Sequence, residues 1–506
     1  MIRRLDRFLN GVTMYRLVLV WLVILIFAGM LLSLVGLLPF NAGNMLASTL
    51  FLVAVSIVSN AVFARVFEAA TSTESVYITA LILALIVSPT ATFANLPFLA
   101  CAAVLATASK YIIAPRRRHI FNPAAIAVLM TSLFLNHSAS WWVGNLPMLP
   151  IVLVGGVLVV RKMRRLDLVW AFFITVVLTV LGFAIFAGTQ LLPTTRELVV
   201  HSPLLFFAFV MLTEPLTTPP TKALQLWYGA LVGLLFVPQV HLGSFYFTPE
   251  IALLVGNVFS YIVSPKTNLM LSLKGRRKLA PDTFEFVFQN DRGLRFKPGQ
   301  YMEWTLPHPG TDSRGNRRFL TLSSSPTEPD VKIGVKFHAR SSSFKRQLLS
   351  MKKGERIAAG HLAGDFVLPK AKDEKVAFIA GGVGITPFKS MIKYMLDTGD
   401  RRAAVVLYAN RRIEDIAYDG LLEQASEQLG VRTVHILTDP RQAPVGWEGR
   451  TGHIDETLIR EEVPDYCDRI FYVSGPPAMV TAAKKAIAGL GIKPTRIRTD
   501  YFPGLA

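Results

Sequence analysis

The chain has 506 residues, 53 Lys+Arg against 34 Asp+Glu for a net charge of +19, and 52% hydrophobic residues. That length allows about three domains. Its two cysteines, Cys101 and Cys467, exclude a cysteine-ligated iron–sulfur cluster within the chain, which needs about four thiolates. No basic stripe with interleaved aromatics occurs, so nucleic acid is not an expected partner. The charge divides unevenly in kind. Residues 1–267 hold 16 Lys+Arg and 7 Asp+Glu among apolar runs, and residues 268–506 hold the other 37 and 27, interleaved as on a soluble surface.

The chain opens with the basic stretch MIRRLDRFLNGVTMYR and a long apolar run without a small-residue cleavage site. It reads as a first helix that stays, rather than a signal peptide. Ten apolar segments follow one another near 17–38, 46–64, 76–88, 94–109, 121–135, 147–160, 168–188, 201–213, 224–238 and 249–264. Several fall short of the ~20 residues that a full crossing needs, so broken or half-helices are expected. With a cytoplasmic N-terminus, the inner loops carry Lys110, Arg116–Arg118, Arg161, Lys162, Arg164 and Arg165, and the outer loops carry little besides Arg196. The positive-inside rule then places both termini and the soluble half in the cytoplasm, on a multi-pass protein of the cell (inner) membrane. His119, His137, His201 and His241 lie at loops or span ends, so a bis-histidine haem within the spans is not expected. No metal-ligand cluster is evident either.

The first five runs resemble the last five. HIFNPAAIAVL (119–129) matches FYFTPEIALLV (245–255), and ALIVSPTATFANLP (84–97) echoes VMLTEPLTTPPT (210–221). An odd repeat unit gives the halves opposite topology, and in such folds the breaks sit where ligand groups meet helix ends. Glu214, Thr217, Thr218 and Thr221 in the second break, with Asn122 and Pro123 at the inner loop of the other repeat, are therefore expected to converge. They would meet a ligand there. The alternative for Glu214 is a pairing with Lys222 or with a side chain of Arg116–Arg118.

KYIIAPRRRHIFNPAA and LTEPLTTPPTKALQLWYGALVG resemble the B subunit of the sodium-pumping NADH:quinone oxidoreductase and the D subunit of the Rnf electron-transport complex, over roughly residues 15–265. The resemblance implies ten helices in inverted five-helix repeats and bound flavin, so that the ligand expected at Glu214, Thr217, Thr218, Thr221, Asn122 and Pro123 is a non-covalent flavin (FMN or riboflavin) or a quinone headgroup. It also implies covalent FMN on a threonine in a D-x-x-S-x-A-T pattern of an outer loop. The corresponding loop here, NHSASWWVGNLP, has neither that aspartate nor that threonine, and in SPTAT (88–92) Pro89 takes the serine position.

From 268 the pattern changes. Short alternating runs (TFEFVFQ, YMEWTL, RFLTLSS, VKIGVKFHA) separated by turns predict a small antiparallel barrel over 268–372. Strand–helix alternation over 373–506 predicts a doubly wound parallel sheet. AGGVGITPF (380–388), with Gly381, Gly382, Gly384, Thr386 and Pro387, follows a strand and opens a helix. SGPPAM (474–479), with Gly475, Pro476 and Pro477, is a second such turn, and together they form a dinucleotide crevice.

These motifs resemble the ferredoxin–NADP reductase superfamily. The likeness implies FAD in the barrel, with Arg318 on its phosphate and Leu320 and Thr321 against the isoalloxazine and ribityl chain. Ser342, Ser343 and Lys345 would hold the pyrophosphate, and Tyr301, Ser323 and Phe337 complete the expected cofactor set. In RTDYFPG, Tyr501 or Phe502 would cover the flavin face where nicotinamide stacks, next to Thr321. Arg411 or Arg412 of ANRR (409–412) could meet a ribose 2′-phosphate, but the same pattern suits NADH.

The expected protein is multidomain, with a ten-span α-helical domain (1–267), a flavin barrel (268–372) and an α/β nucleotide domain (373–506). Its expected activity is NAD(P)H oxidation through FAD, with onward transfer to a membrane-domain flavin or a quinone. Its partners would be membrane lipid, the acceptor and, on a third reading, a partner electron-transfer protein. The alternative is an inverted-repeat transporter regulated by a fused reductase.

Overall fold

The computed structural model describes residues 5, 8–9, 11–67, 73–90, 92–115, 119–188, 190–200, 202–265, 268–290, 293–312 and 314–500. The chain divides into two compact units, residues 1–268 and, apart from the short stretch 311–315, the chain from Leu269 on.

In the first unit each predicted apolar run carries a helix. In chain order these are α1 (Met14–Leu34), α2 (Ala42–Val66), α3 (Thr73–Ile86), α4 (Leu96–Ile112), α5 (Pro123–Leu135), α6 (Leu149–Met163) and α7 (Leu166–Ala187). A further helix, α8 (Leu191–Val200), occupies a stretch predicted as outer loop. The eighth run is not a plain α-helix: α9 (Leu204–Phe206) passes into a π-helix over Phe207–Met211. Last come α10 (Lys222–Phe236) and α11 (Pro249–Val263). By length and composition α1, α2 and α7, of 21, 25 and 22 residues, can cross a membrane, and α3, α4, α5, α10 and α11 are shorter apolar helices.

Packing partners recur in the same order in the two halves. In the first, α1 packs on α3, α2 on α4 and α4 on α5; in the second, α6 packs on α9, α7 on α10 and α10 on α11. Helices α5 and α11 pack on each other across the halves. They also start alike. Asn122 Oδ1 accepts from the N–H groups of Ala124 and Ala125, and Thr248 Oγ1 from that of Ile251, each with proline at the first helical position. A capping side chain and a residue without an N–H together dispose of the donors a helix start leaves orphaned.

The second unit begins with six strands: β1 (Asn268–Ala280), β2 (Thr283–Gln289), β3 (Tyr301–Thr305), β4 (Arg317–Thr321), β5 (Val331–Lys336) and β6 (Arg356–Ala363). Their order is β4-β3-β6-β1-β2-β5. Leu322, just past β4, bridges Ile333 of β5, so the sheet curls until its edge strands meet. Inside lie Phe286, Phe288, Met302, Trp304 and Ile333, and α12 (Ser343–Ser350) adds Phe344 and Leu348 to that core.

The second sheet contains β7 (Val376–Gly381), β8 (Ala404–Asn410), β9 (Arg432–Leu437), β10 (Arg450–Thr451), β11 (Ile470–Ser474) and β12 (Ile497–Asp500), in the order β10-β9-β8-β7-β11-β12. Every pairing is parallel. Helices cover both faces. Phe378 and Tyr408 pack towards α13 (Thr386–Thr398) and α14 (Asp419–Leu429), and Ile379 and Leu407 towards α15 (Glu456–Glu462) and α16 (Pro477–Gly489). Burial on both faces is why these strands read as unbroken apolar runs.

The carboxyl end of α3 shows how a short apolar helix is closed. Its last carbonyls have no intrahelical partner, and the loop after α5 supplies donors. Ser140 and Trp141 donate backbone N–H to Ile86 O at 2.9 and 3.0 Å, and Trp142 Nε1 donates to Ala84 O at 2.8 Å. Trp141 Nε1 donates at 2.7 Å to Glu250, a buried carboxylate in the first turn of α11, where the helix dipole favours negative charge. Trp142→Phe is expected to destabilise the first unit by about 1–3 kcal/mol, the cost of a buried carbonyl left without its donor. A thermal melt of the detergent-solubilised chain checks this, and an unchanged Tm would contradict it.

Candidate functional site

On β4 the side chains of Arg318 and Leu320 fall on one face. Arg318 is 5% exposed, its Cζ lies 5.3 Å from the centroid of the Phe344 ring, and its Nη1 donates to Arg317 O. Phe344 is in the first turn of α12, whose N-cap Ser342 accepts from Lys345 N at 3.3 Å. A buried guanidinium stacked beside a helix N-terminus is a donor set suited to a pyrophosphate. Ser342 and Ser343 are buried at the same helix start. The Lys345 amine, by contrast, is committed to Lys336 O at 2.9 Å.

Three other predicted cofactor residues sit differently from the expectation. Phe337 packs against Phe284 and Phe286, with centroids at 5.7 and 6.1 Å, inside the curled sheet. Leu320 also belongs to that apolar core. The Ser323 hydroxyl donates to Glu285 at 3.1 Å. Tyr301 lies opposite Thr321 in the β3–β4 register and meets Phe319 edge-on at 5.8 Å. Thr321 Oγ1 donates to Asp500 at 3.4 Å, which brings the end of β4 to the end of β12. Tyr501 and Phe502, the residues after Asp500, lie outside the described residues.

Beside β7 in the parallel sheet lies β11, with Ala380 opposite Ser474. The chain turns outward in opposite directions from this pair, so their carboxyl ends form the switch-point crevice. Gly381, Gly382 and Gly384 lead into α13, which has Pro387 in its first turn. A Cβ on Gly384 would stand 2.5 Å from Ser474 O, so only glycine lets the first turn touch the second. Gly475 and Pro476 then lead into α16 at Pro477. At the end of β8, Arg412 is drawn to Asp415 and Glu414 at 3.5 and 3.9 Å, and the Arg411 side chain is exposed.

In the first unit Glu214 stands where the π-helical run ends. Its Oε2 accepts from Asn122 Nδ2 at 2.8 Å and Thr217 Oγ1 at 3.3 Å, and its Oε1 lies 3.7 Å from His119 Nε2. The backbone N–H of Asn122 donates to Asn257 Oδ1 at 2.8 Å, and Asn257 Nδ2 donates to the Tyr228 hydroxyl at 3.1 Å. Asn122 and Asn257 are 2% and 0% exposed. The break itself is braced by Thr218 Oγ1 on Pro215 O and Gln225 Nε2 on Pro219 O. Thr221 precedes α10 without a capping side-chain bond. Lys222 pairs with Asp167 at 3.2 Å, not with Glu214, and Arg116–Arg118 lie outside the described residues. Pro123 begins α5 directly beside this group.

The residues that sequence reasoning missed are Phe344, His119 as a neighbour of Glu214, Asn257, and the pair Glu285 and Tyr418. Glu285 carried one legible signal, a carboxylate within the apolar strand TFEFVFQ.

Comparison with known proteins agrees with the division into two units. Residues 130–268 match the NQR2, RnfD, RnfE family and residues 378–485 the oxidoreductase NAD-binding domain. Stachydrine N-demethylase reductase subunit Stc4 of Rhizobium meliloti (strain 1021) is 30% identical over 227 residues, 44% of this chain and 63% of that protein. A flavohemoprotein of Bacillus subtilis (strain 168) is 28% identical over 209 residues, 41% of this chain and 51% of that one. The chain thus spans less than two thirds of the length of these relatives. Among solved structures, the flavohem-like FAD/NAD binding domain of nitric oxide dioxygenase from Vibrio cholerae O1 biovar El Tor is 21% identical. It covers 46% of this chain and 98% of that one, with a TM-score of 0.41. By these matches the chain joins a segment similar to the NQR2, RnfD, RnfE family to a segment similar to the oxidoreductase NAD-binding domain.

Proposed function

We propose that the chain is a membrane-bound flavoprotein oxidoreductase. In this reading NAD(P)H meets FAD in the second unit, and electrons pass on to a non-covalent flavin or a quinone held by the first. The observation that carries the reading is the gathering, in one compact unit, of a buried arginine at a helix N-terminus and two touching glycine turns at a sheet switch point.

Arg318, Ser342, Ser343 and the N–H groups opening α12 would hold the FAD pyrophosphate, with Tyr301 and Thr321 at the ring end. When bound, FAD supplies a hydride acceptor that can release electrons singly or in pairs. The protein's part is positioning. The turns at Gly381–Gly384 and Gly475–Pro477 would admit the dinucleotide, with Thr386 and Pro387 opening the helix that would face it and Arg411 as the cation to meet a ribose phosphate. Tyr501 or Phe502 would cover the flavin face.

In the first unit, Glu214, Asn122, Thr217 and His119 form a polar group at a helix break, with Pro123, Thr218 and Thr221 around it. Irregular backbone at membrane depth is tolerated where protein or a polar ligand satisfies it. The carboxylate facing His119 can pass a proton to or from a ring that accepts electrons nearby. In this reading both termini and the second unit lie on the cytoplasmic side of the cell (inner) membrane, in keeping with the basic residues of the inner loops.

Three experiments test this reading. Arg318→Ala is expected to lose FAD, because a charge-assisted bond worth roughly 1.5–3 kcal/mol is removed; unchanged flavin content would mean the cradle lies elsewhere. Leu146→Cys, in a chain whose Cys101 and Cys467 are replaced by serine, is expected to react with an impermeant thiol reagent from outside intact cells. Labelling only after lysis would reverse the orientation. Glu214→Gln and Thr221→Val are expected to leave NAD(P)H reduction of FAD intact and to slow quinone reduction. Quinone reduction at the original rate in both variants, with no flavin in the first unit, would leave the break a structural turn.

A further inference from the structure

The second unit buries another polar group, at the seam between the curled sheet and the helices of the parallel sheet. Glu285, in the middle of β2, is 3% exposed. Its carboxylate accepts from the Tyr418 hydroxyl at 2.9 Å and the Ser323 hydroxyl at 3.1 Å, and pairs with Arg277 at 3.4 Å. A carboxylate buried so deeply is costly unless paired and hydrogen-bonded, and here all three donors converge on it.

Tyr418 reaches this carboxylate from the nucleotide side. It immediately precedes α14 with φ +62°, a conformation that bulky residues adopt at a cost. Burial, and then the Glu285 carboxylate, hold its phenol well above the ordinary value, so it stays a donor. Directly across from Glu285 on β5 is Gly334. A Cβ there would stand 2.6 Å from Thr386 Cγ2 and 2.9 Å from the Tyr418 oxygen, so glycine is what permits the approach. Thr386 is the first residue of α13, the helix opened by the AGGVG turn. A second anchor lies one turn along the same helix. Lys389 pairs with Glu328 at 2.9 Å, and Ser390 Oγ donates to Ser324 O at 2.6 Å.

We infer that Glu285 and Tyr418 are positioning residues for hydride transfer, fixing the end of β4 at a set distance from the start of α13. Ser323 follows Thr321 by two residues, and Tyr418 touches the space beside Thr386. The cluster therefore ties the flavin side of the unit to its nicotinamide side. Hydride transfer needs the reacting atoms within about 3–3.5 Å, and a displacement near 1 Å can cost roughly 10²-fold. The inference rests on FAD and NAD(P)H occupying the sites proposed above.

The test uses the full-length chain in lipid nanodiscs with Tyr418→Phe, which removes one hydroxyl, and Gly334→Ala, which acts from the opposite wall. Stopped-flow bleaching of FAD by NAD(P)H gives the hydride rate and the apparent affinity. Spin labels at Lys353→Cys and Glu427→Cys, with Cys101 and Cys467 replaced by serine, report the distance between the two sheets. The expected result is full FAD content, nucleotide affinity within about twofold, a hydride rate at least about tenfold lower in keeping with the cost of misplacement, and a broadened label distance. An unchanged hydride rate, loss of FAD, or slowing with an unaltered label distance would each overturn the inference. If FAD in the unsubstituted chain is not bleached by NAD(P)H at all, the proposed function fails instead.

Discussion

A carboxylate and a run of prolines inside an apolar helical bundle are tolerable only if the protein itself satisfies the groups they leave exposed. The first unit is organised around meeting that demand at Glu214. The π-helical run Phe207–Met211 ends three residues before it, and the amide of Asn122 comes from the start of α5 to meet it. Asn122 can do so because its other atoms are also placed. Its Oδ1 caps α5 and its N–H is held by Asn257 of α11. One residue thus links a helix start, a helix break and the cross-packing of the two halves.

The second unit solves a related problem in a water-facing setting. Two sheets with separate cores must be held so that the end of β4 and the turn after β7 face a common space. Leu279 of β1 reaches the core of the parallel sheet across the seam. Glycines that admit close backbone approach, Gly384 within the crevice and Gly334 at the seam, combine with paired buried charges to set that relation. Both units therefore depend on a few satisfied polar groups at points where the regular elements leave off.

Much of this was legible from local pattern. The shared F-N-P and F-T-P starts of α5 and α11 could be read as related helices, because a capping side chain before a proline has a fixed local meaning. That Asn122 lies near the break at Glu214 was expected from the likeness of the two halves, but its direct bond to that carboxylate was not. The two glycine turns were legible because strand, turn and helix follow one another directly. What escaped was set by long-range packing. Helix α8 carries no strong apolar run. Whether Leu320 and Phe337 face a cofactor or the core depends on which way the curled sheet closes. The bond from Glu285 to Tyr418 joins residues 133 apart in the chain, a separation at which no local pattern operates.

The central claim is that electrons leave the FAD of the second unit for an acceptor held by the first. An anaerobic single turnover of the full-length chain in nanodiscs, with one equivalent of NAD(P)H and a membrane quinone, tests it most directly. The account predicts that FAD absorbance bleaches first and then recovers as quinone is reduced one for one. FAD that bleaches and stays reduced, with neither quinone nor a second flavin taking its electrons, would contradict it.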